Sequence, residues 1–327
     1  MHIPDGLLST PVSLACAGLS VVAVGAATAR SRFASESRHV ALMGMAAAFV
    51  FAAQLLNFPV AGGTSGHLIG GVLAAVLLGP SAAVVAMTAV LILQCLVFGD
   101  GGLMALGANV LNMAVIQPLV GITIYAVVSG RAGAGRVHPV RRVAAAAFAS
   151  WIATIVAAAA CAGELALSRV VTPGLVLPAM LAVHAAIGLG EGLITALVLS
   201  TILRLRPELL ERRIGREPAA GRAVSLALLG LVASLALAIF VSPFACTWPD
   251  GLERVAERLG LEPASVRLPF DAPLRSYALP SVPRSPWTLS MAAAIGTLLA
   301  FAICVVLGVL LAPRAPANRP PPARDRS

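Results

Sequence analysis

The first two residues of the chain, Met1 and His2, carry groups that could bind a metal ion. The terminal amine, the deprotonated amide nitrogen of His2 and Nδ1 of its imidazole can close two fused rings around one ion. These three nitrogens lie in one plane and leave a fourth position open. Square-planar nitrogen coordination suits Ni(II) or Cu(II), whereas Zn(II) prefers a tetrahedron. The sequence therefore predicts a planar transition-metal site that includes the amino terminus.

The fourth donor has to come from another part of the chain. The candidate is His67, which ends the glycine-rich run Ala61–His67. The alternative, which these residues alone leave open, is that His2 is an arbitrary residue at a disordered terminus.

The site requires that Met1 remain the first residue. A secretory signal has a basic segment at its start, but the first basic residue of this chain is Arg30. We therefore expect no cleaved signal, so the terminal amine of Met1 is retained.

The composition is that of a membrane protein. Of 327 residues, 59% are hydrophobic and 11% are charged, and several apolar runs reach the ~20 residues that a spanning helix needs. All 23 basic residues are arginine, and the net charge is +9. These arginines cluster between apolar runs, as in cytoplasmic loops that face an anionic leaflet. The charge therefore does not indicate a nucleic-acid partner.

The apolar runs predict an all-α polytopic bundle of about nine transmembrane helices, seven followed by two. They cover residues 11–28, 39–56, 67–79, 81–98, 104–128, 143–161, 179–203, 224–241 and 287–311. The third is short and is expected to be tilted or partly spanning. Because 17 of the 23 arginines fall in alternate connecting segments and the tail, the amino terminus is predicted outside and the carboxyl terminus in the cytoplasm. Met1 and His67 then share the outer face.

Polar residues inside a membrane are costly and indicate function. Asp100, Asn109 and Asn112 are candidates for orienting the metal ligands. Hydrogen bonding between helices is the alternative for each. His184 and Glu191 lie seven residues apart on one helix face, so they could share an interhelical surface and act in helix packing or gating.

Four separated segments carry a family resemblance. Met1–Gly6, the region of His67, Phe98–Asn109 and His184–Gly192 together resemble the CbiM/NikM family, the substrate-capture components of energy-coupling-factor transporters for cobalt and nickel. The resemblance implies a seven-helix membrane protein with its amino terminus in the centre. It also implies a metal held by the amine and amide of the first two residues, the His2 imidazole and His67.

The segment Trp248–Ala256 resembles the PDGLE domain, a NikN-type accessory unit of two helices and an outer loop. A solvated amphipathic helix is the alternative for this loop alone. The expected division is a metal-capture domain at 1–203, a cytoplasmic linker at 204–223, the PDGLE domain at 224–312 and a disordered tail at 313–327.

The resemblance implies a transport component of the cell membrane that imports Ni(II), with Co(II) as the alternative substrate. The Pro4–Gly6 segment and the Asp100 loop are similar to nickel-type members. No cofactor is expected beyond the transported ion. A P-loop needs a lysine, and the chain has none, so ATP-binding subunits and a transmembrane coupling subunit are the expected partners, and the chain itself is not expected to be an enzyme.

Two rival hypotheses come from other classes. A membrane-embedded enzyme would use His184 and Glu191 as acid and base. A metal–proton antiporter would need several buried carboxylates at mid-membrane, and Glu191 is the one that qualifies.

Overall fold

The computed structural model describes residues 1–30, 37–130, 138–209, 220–266, 271–280, 282–283 and 285–312. The described chain is a bundle of helices with one small sheet. The helices are α1 Thr10–Arg30, α2 Ser37–Gln54, α3 Gly71–Leu78, α4 Pro80–Leu93, α5 Leu106–Asn109, α6 Gln117–Ser129, α7 Pro139–Leu167, α8 Pro173–Leu205, α9 Ala220–Ala236, α10 Gly251–Leu259 and α11 Pro286–Leu311. Strands β1 Phe58–Val60 and β2 Thr64–Gly66 pair antiparallel, with Pro59 opposite Ser65.

Wide π-helical turns lengthen three of the helices. Gln94–Phe98 continues α4, Val110–Ile116 joins α5 to α6, and Leu237–Val241 continues α9. Such turns are uncommon and often occur at functional sites. The first of them leads directly into the Asp100 loop, and the second follows α5, the short helix after that loop.

Among the described residues, seven helical segments are long and apolar enough to cross a membrane. They are Thr10–Arg30, Pro80–Phe98, Leu106–Ser129, Pro139–Leu167, Pro173–Leu205, Ala227–Phe244 and Trp287–Leu311, with His39–Gln54 as a shorter apolar helix. The prediction of an all-α multi-pass membrane protein is confirmed. The orientation of the termini stays a prediction.

The third predicted helix differs from the structure. It was expected to begin near His67, but α3 begins at Gly71 and has 8 residues, a rise of about 12 Å. The residues before it form the β1–β2 pair and a segment without regular structure, residues 67–70, in which Gly70 is left-handed. Since the hydrocarbon core is about 30 Å thick, α3 does not span it alone.

The sixth predicted helix, residues 143–161, is longer in the structure. Helix α7 runs on to Leu167, so Glu164 lies within the helix and is buried. Its carboxylate accepts hydrogen bonds from Nδ2 of Asn112 at 2.8 Å and from the Cys16 thiol at 3.5 Å. The apolar composition of residues 143–161 predicts the helix but not this continuation, which a buried polar pair stabilises.

The bundle packs around the amino terminus. Ile3 is fully buried and Leu7 nearly so; both belong to the main apolar core, together with Phe51 and Phe98. Helices α9 and α11 both pack against α2. The carboxyl-terminal part of the chain is therefore attached to the amino-terminal part along α2.

A short amphipathic helix, α10, covers one end of the bundle. Asp250 caps it by accepting from the backbone N–H of Glu253, and the Glu253 carboxylate accepts from the N–H of Asp250. This reciprocal capping box fixes where the helix begins. Leu252 and Val255 face inward and are buried, and α10 packs on α8 and β2. The capped end of α10 is therefore held close to His67.

Candidate metal centre

The structure places the terminal amine of Met1 between two side chains. The amine nitrogen lies 3.0 Å from Nε2 of His67 and 2.8 Å from Oδ2 of Asp250. The rings of His2 and His67 stack with centroids 5.5 Å apart and planes 14° from parallel. The fold thus brings together the three residues predicted as ligands, Met1, His2 and His67, although Met1 and His67 are 66 positions apart in the sequence.

His67 presents its Nε2 lone pair to the amine. Its Nδ1 is 3.1 Å from the carbonyl oxygen of Leu68, so the proton of the neutral ring belongs on Nδ1 and the lone pair on Nε2. Burial, the terminal ammonium and His2 together lower the pKa of His67 to about 3. At neutral pH the ring is uncharged, which is the form that binds metals.

His2 is oriented by Asp100. Its Nδ1 is 3.2 Å from Oδ1 of Asp100, whereas its Nε2 is buried without a hydrogen-bond partner. Burial lowers the pKa of His2, although the negative charge of Asp100 partly opposes this. Nδ1, the atom that the terminal chelate requires, is therefore engaged by a carboxylate in this structure.

The segment after His2 is fixed by hydrogen bonds to its backbone. The N–H of Ile3 donates to Oδ1 of Asn109 at 2.8 Å, and Nδ2 of Asn109 donates to the Ile3 carbonyl at 3.1 Å. The N–H of Gly102 donates to the same carbonyl at 2.8 Å. The Asp5 carboxylate accepts from the backbone N–H groups of the two residues after Gly102. Asn109, a predicted orienting residue, thus contacts the terminal segment directly.

Glycine is needed in the loop that receives this segment. Gly101 has φ +84°, a left-handed conformation that favours glycine. A Cβ atom there would lie 2.8 Å from Nδ2 of Asn109 and 3.4 Å from Cβ of His2. The loop Gly99–Gly102 is thus a close-fitting support for the terminus.

The remaining predicted residues lie further from the amine. The hydrogen bond of Asn112 goes to Glu164 in the bundle. Glu191 accepts from the backbone N–H groups of Ile69 at 2.6 Å and Gly70 at 2.9 Å, and from Nε2 of Gln117 at 3.1 Å. It therefore fixes the chain just after His67.

His184 lies beside the site but bonds within its own helix. Its Nδ1 is 2.9 Å from the carbonyl of Met180, and the ring lines a small cavity with Met1, His67 and Gly251. The described hydrogen bonds of His184 and Glu191 go to different groups, and none of them joins these two side chains.

Two residues of the site were missed from the sequence. Asp250 bonds the amine, and the Tyr277 hydroxyl donates to Oδ2 of Asp100 at 2.6 Å. Burial alone would raise the pKa of Asp250, but the terminal ammonium and its hydrogen bond hold that pKa well below its usual range. Asp250 precedes an apolar-periodic helix, which predicts a cap. No sequence pattern predicts its contact with a residue 249 positions away.

The groups that converge at this candidate site include the terminal amine. Within the described ranges, no group of three or more His, Cys, Asp or Glu side chains is placed to hold one metal ion. The convergence of donors is made by the amine together with His67 and Asp250, with the His2 ring stacked beside them.

Profiles of two known protein families match separate parts of the chain. Residues 2–209 match the CbiM profile, described as the cobalt uptake substrate-specific transmembrane region. The chain belongs to the CbiM family. Residues 224–313 match the PDGLE domain, so this CbiM-family chain carries a PDGLE domain after its family region. Both features of the sequence resemblance are confirmed.

Relatives share the combined arrangement. A chain from Archaeoglobus fulgidus, named as a candidate fused nickel transport protein NikMN, is 37% identical over 305 residues, covering 93% of this chain and 96% of that one. The fused nickel transport protein NikMN of Rhodobacter capsulatus is 37% identical over 260 residues, covering 72% and 73%. A crystal structure of a truncated transition metal transporter is 33% identical with a TM-score of 0.55, covering 62% of this CbiM-family chain and 99% of that one.

Proposed function

We propose that this protein is the substrate-specific membrane component of an ATP-driven energy-coupling-factor transporter, and that it binds and imports Ni(II). The observation that carries the proposal is the 3.0 Å approach of the Met1 amine to Nε2 of His67 in a buried site. A membrane protein has no structural need to bury its amino terminus against an imidazole, since a charged terminus is more favourable in water.

The proposed bound state uses four nitrogens. The Met1 amine and the His67 imidazole are already adjacent. The His2 amide nitrogen and Nδ1 complete the plane, and Nδ1 exchanges its contact with Asp100 for a bond to the ion. The ammonium and the His2 amide each release a proton to solvent when the ion enters. A planar set of four nitrogens favours Ni(II) over Co(II) in geometry and in the order of intrinsic affinities.

The relatives support nickel, and the family description supports cobalt as the second candidate. Two relatives that share both regions of this chain are named for nickel transport, whereas the family profile is described by cobalt uptake. Competition separates the two metals. We expect an equal concentration of Co(II) to reduce Ni(II) binding only slightly. Complete displacement of Ni(II) by Co(II) would assign the site to cobalt.

Dependence on ATP-binding partners tests the transport proposal. Radioactive Ni(II) uptake is measured in cells that produce the chain with its ATP-binding and coupling subunits, and in cells that produce it with an ATP-binding subunit unable to hydrolyse ATP. We expect Ni(II) uptake in the cells with the inactive ATP-binding subunit to fall to the background level of cells that lack the chain. Undiminished uptake with the inactive subunit would favour the metal–proton antiporter and contradict the proposal.

A further inference from the structure

The PDGLE domain contributes a carboxylate to the metal centre. The Asp250 side chain is 14% exposed and lies at the N-terminal cap of α10, with Oδ2 directed at the Met1 amine. The same oxygen is 4.0 Å from Nε2 of His67. Three potential donors, an amine nitrogen, an imidazole nitrogen and a carboxylate oxygen, therefore lie within 4.0 Å of one another.

The distances among these donors match three corners of a square. The amine is 2.8 Å from the Asp250 oxygen and 3.0 Å from the His67 nitrogen, and the latter two atoms are 4.0 Å apart. With metal–ligand bonds of about 2 Å, adjacent donors of a planar site lie about 2.8 Å apart and opposite donors about 4 Å apart. The amine is thus the corner between His67 and Asp250, which lie opposite each other.

The corner occupied by Asp250 is one that the four-nitrogen chelate needs. In that chelate the amine is adjacent to the His2 amide nitrogen and to His67, so the amide nitrogen lies opposite His67. The Asp250 oxygen stands at this position in the structure. An amide nitrogen binds only after it loses its proton, whereas a carboxylate is already an anion. The ionised state of Asp250 is stabilised by the backbone N–H of Glu253 as well as by the amine.

Tyr277 forms a second connection from the same domain. Its hydroxyl donates to Asp100, which in turn contacts Nδ1 of His2, and its ring stacks on Phe98 at 4.7 Å between centroids. The loop of the PDGLE domain therefore contacts the terminal amine at one position and orients the His2 imidazole through Asp100 at another.

We propose that Asp250 is a loading ligand, which binds the incoming ion together with the Met1 amine and His67 before the His2 amide nitrogen displaces it. The inference rests on the proposed function, because it describes how the same site fills. The ammonium loses its proton to solvent as the ion enters. The His2 amide proton leaves when nitrogen replaces the carboxylate, and Asp250 is then free of the ion. The PDGLE domain thus speeds entry of the metal without belonging to the final donor set.

The test compares rates of metal binding in the full-length purified chain. Ni(II) is mixed rapidly with the parent protein, Asp250→Asn and Glu257→Gln, and the planar-nitrogen absorption is followed. Asparagine caps helices as well as aspartate does, so α10 is retained in the variant. Glu257 lies on the same helix, is 56% exposed and pairs with Arg254. Its variant therefore removes the same charge from a side chain that pairs with Arg254 instead of the amine.

We expect Asp250→Asn to reach the parent spectrum at least about 10-fold more slowly, a factor equal to 1.4 kcal/mol in the barrier, and Glu257→Gln to remain within about twofold. An Asp250→Asn rate equal to that of the parent, or an equal slowing in Glu257→Gln, would overturn the inference. If the parent protein itself shows no Ni(II) spectrum, the proposed function fails instead.

A second variant detects contact between residue 250 and the ion. In Asp250→Cys a thiolate replaces the carboxylate, and a thiolate bound to Ni(II) gives an intense near-ultraviolet charge-transfer band. We expect this band to appear on mixing and to exceed that of the parent. Absence of the band at every time after mixing would contradict a loading ligand.

Discussion

The terminal segment is held by groups from distant parts of the sequence, and two of these groups contact the amine itself. Asn109 and Gly102 hold the Ile3 backbone, while His67 and Asp250 face the amine. Each contact uses a different polar group, so the position of the amine is defined from several sides. Single substitutions in this set should therefore change metal affinity to different and predictable degrees.

Replacing His67 removes one of the proposed donors. We expect His67→Ala to weaken Ni(II) binding at least about 100-fold, because the loss of residues that merely orient ligands already costs 10–100-fold. His138→Ala, which removes an exposed histidine at the start of α7, should leave the affinity within about twofold. Isothermal titration of both variants measures the difference, and equal affinities would remove His67 from the donor set.

Asn109 and Asn112 should behave differently although both were predicted to orient ligands. Asn109 fixes Ile3 through two hydrogen bonds, whereas Asn112 bonds Glu164. We expect Asn109→Ala to lower Ni(II) affinity about 10–100-fold and Asn112→Ala to lower it less than about threefold. The same titration checks this, and a larger effect at Asn112 would contradict the assignment of roles.

At the scale of elements, the site is assembled from irregular segments between helices. His67 lies in the irregular segment directly after the β1–β2 pair, and Glu191 on α8 fixes the backbone N–H groups of Ile69 and Gly70. The Asp100 loop and the capped start of α10 complete the surroundings. The long helices thus act as a frame for short polar segments.

The loop at Gly102 lies close against the terminal segment, so a larger residue in this loop should disturb the site. A Cβ atom at Gly102 would clash with the backbone nitrogen and the carboxylate of Asp5. We expect Gly102→Ala to displace the terminal segment and weaken Ni(II) binding by at least about 10-fold, as for other changes to supporting groups, while the helical circular dichroism is unchanged. Gly25→Ala on α1, where nothing lies within 4 Å of the added atom, is the control. Full affinity in Gly102→Ala would show that the terminus does not need this loop.

The sequence predicted the long helices well because twenty-residue apolar runs have few other structures in a membrane. It also predicted that Met1, His2 and His67 lie together, since their chemistry depends on residue type and position at the terminus, and the structure brings them together. Their role as ligands stays a prediction. It predicted a short third helix but not its start at Gly71, and it did not predict the burial of Glu164; these depend on hydrogen bonds made by Glu191 and Asn112 to other parts of the chain. The contacts of Asp250 and Tyr277 were not predicted for the same reason, because a contact between residues far apart in the sequence leaves no local pattern.

At the scale of the whole molecule, both parts of the chain meet at one end of the bundle. The PDGLE domain packs its helices on α2 and its loop on the site, so the amine, His67, Asp100 and Asp250 share one face. The arginine distribution predicts that this face is outside the cell, where a captured metal would arrive.

Labelling of introduced cysteines tests this orientation. In a background without native cysteines, Glu262→Cys lies in the exposed part of the PDGLE loop, and His138→Cys lies at the opposite end of α7 from the site. We expect a membrane-impermeant maleimide to label Glu262→Cys in intact cells and His138→Cys only after the membrane is opened. The reverse pattern would invert the topology and make the site cytoplasmic.

The most direct test of the central claim changes only the position of the amine. The purified protein with its native terminus is titrated with Ni(II) beside a form that carries one extra alanine before Met1, and the visible absorption spectrum is recorded. We predict that the native form gives a planar-nitrogen spectrum and that the extended form does not, because its amine no longer reaches His67. Equal binding with identical spectra would show that the amine is not a ligand and would contradict the account.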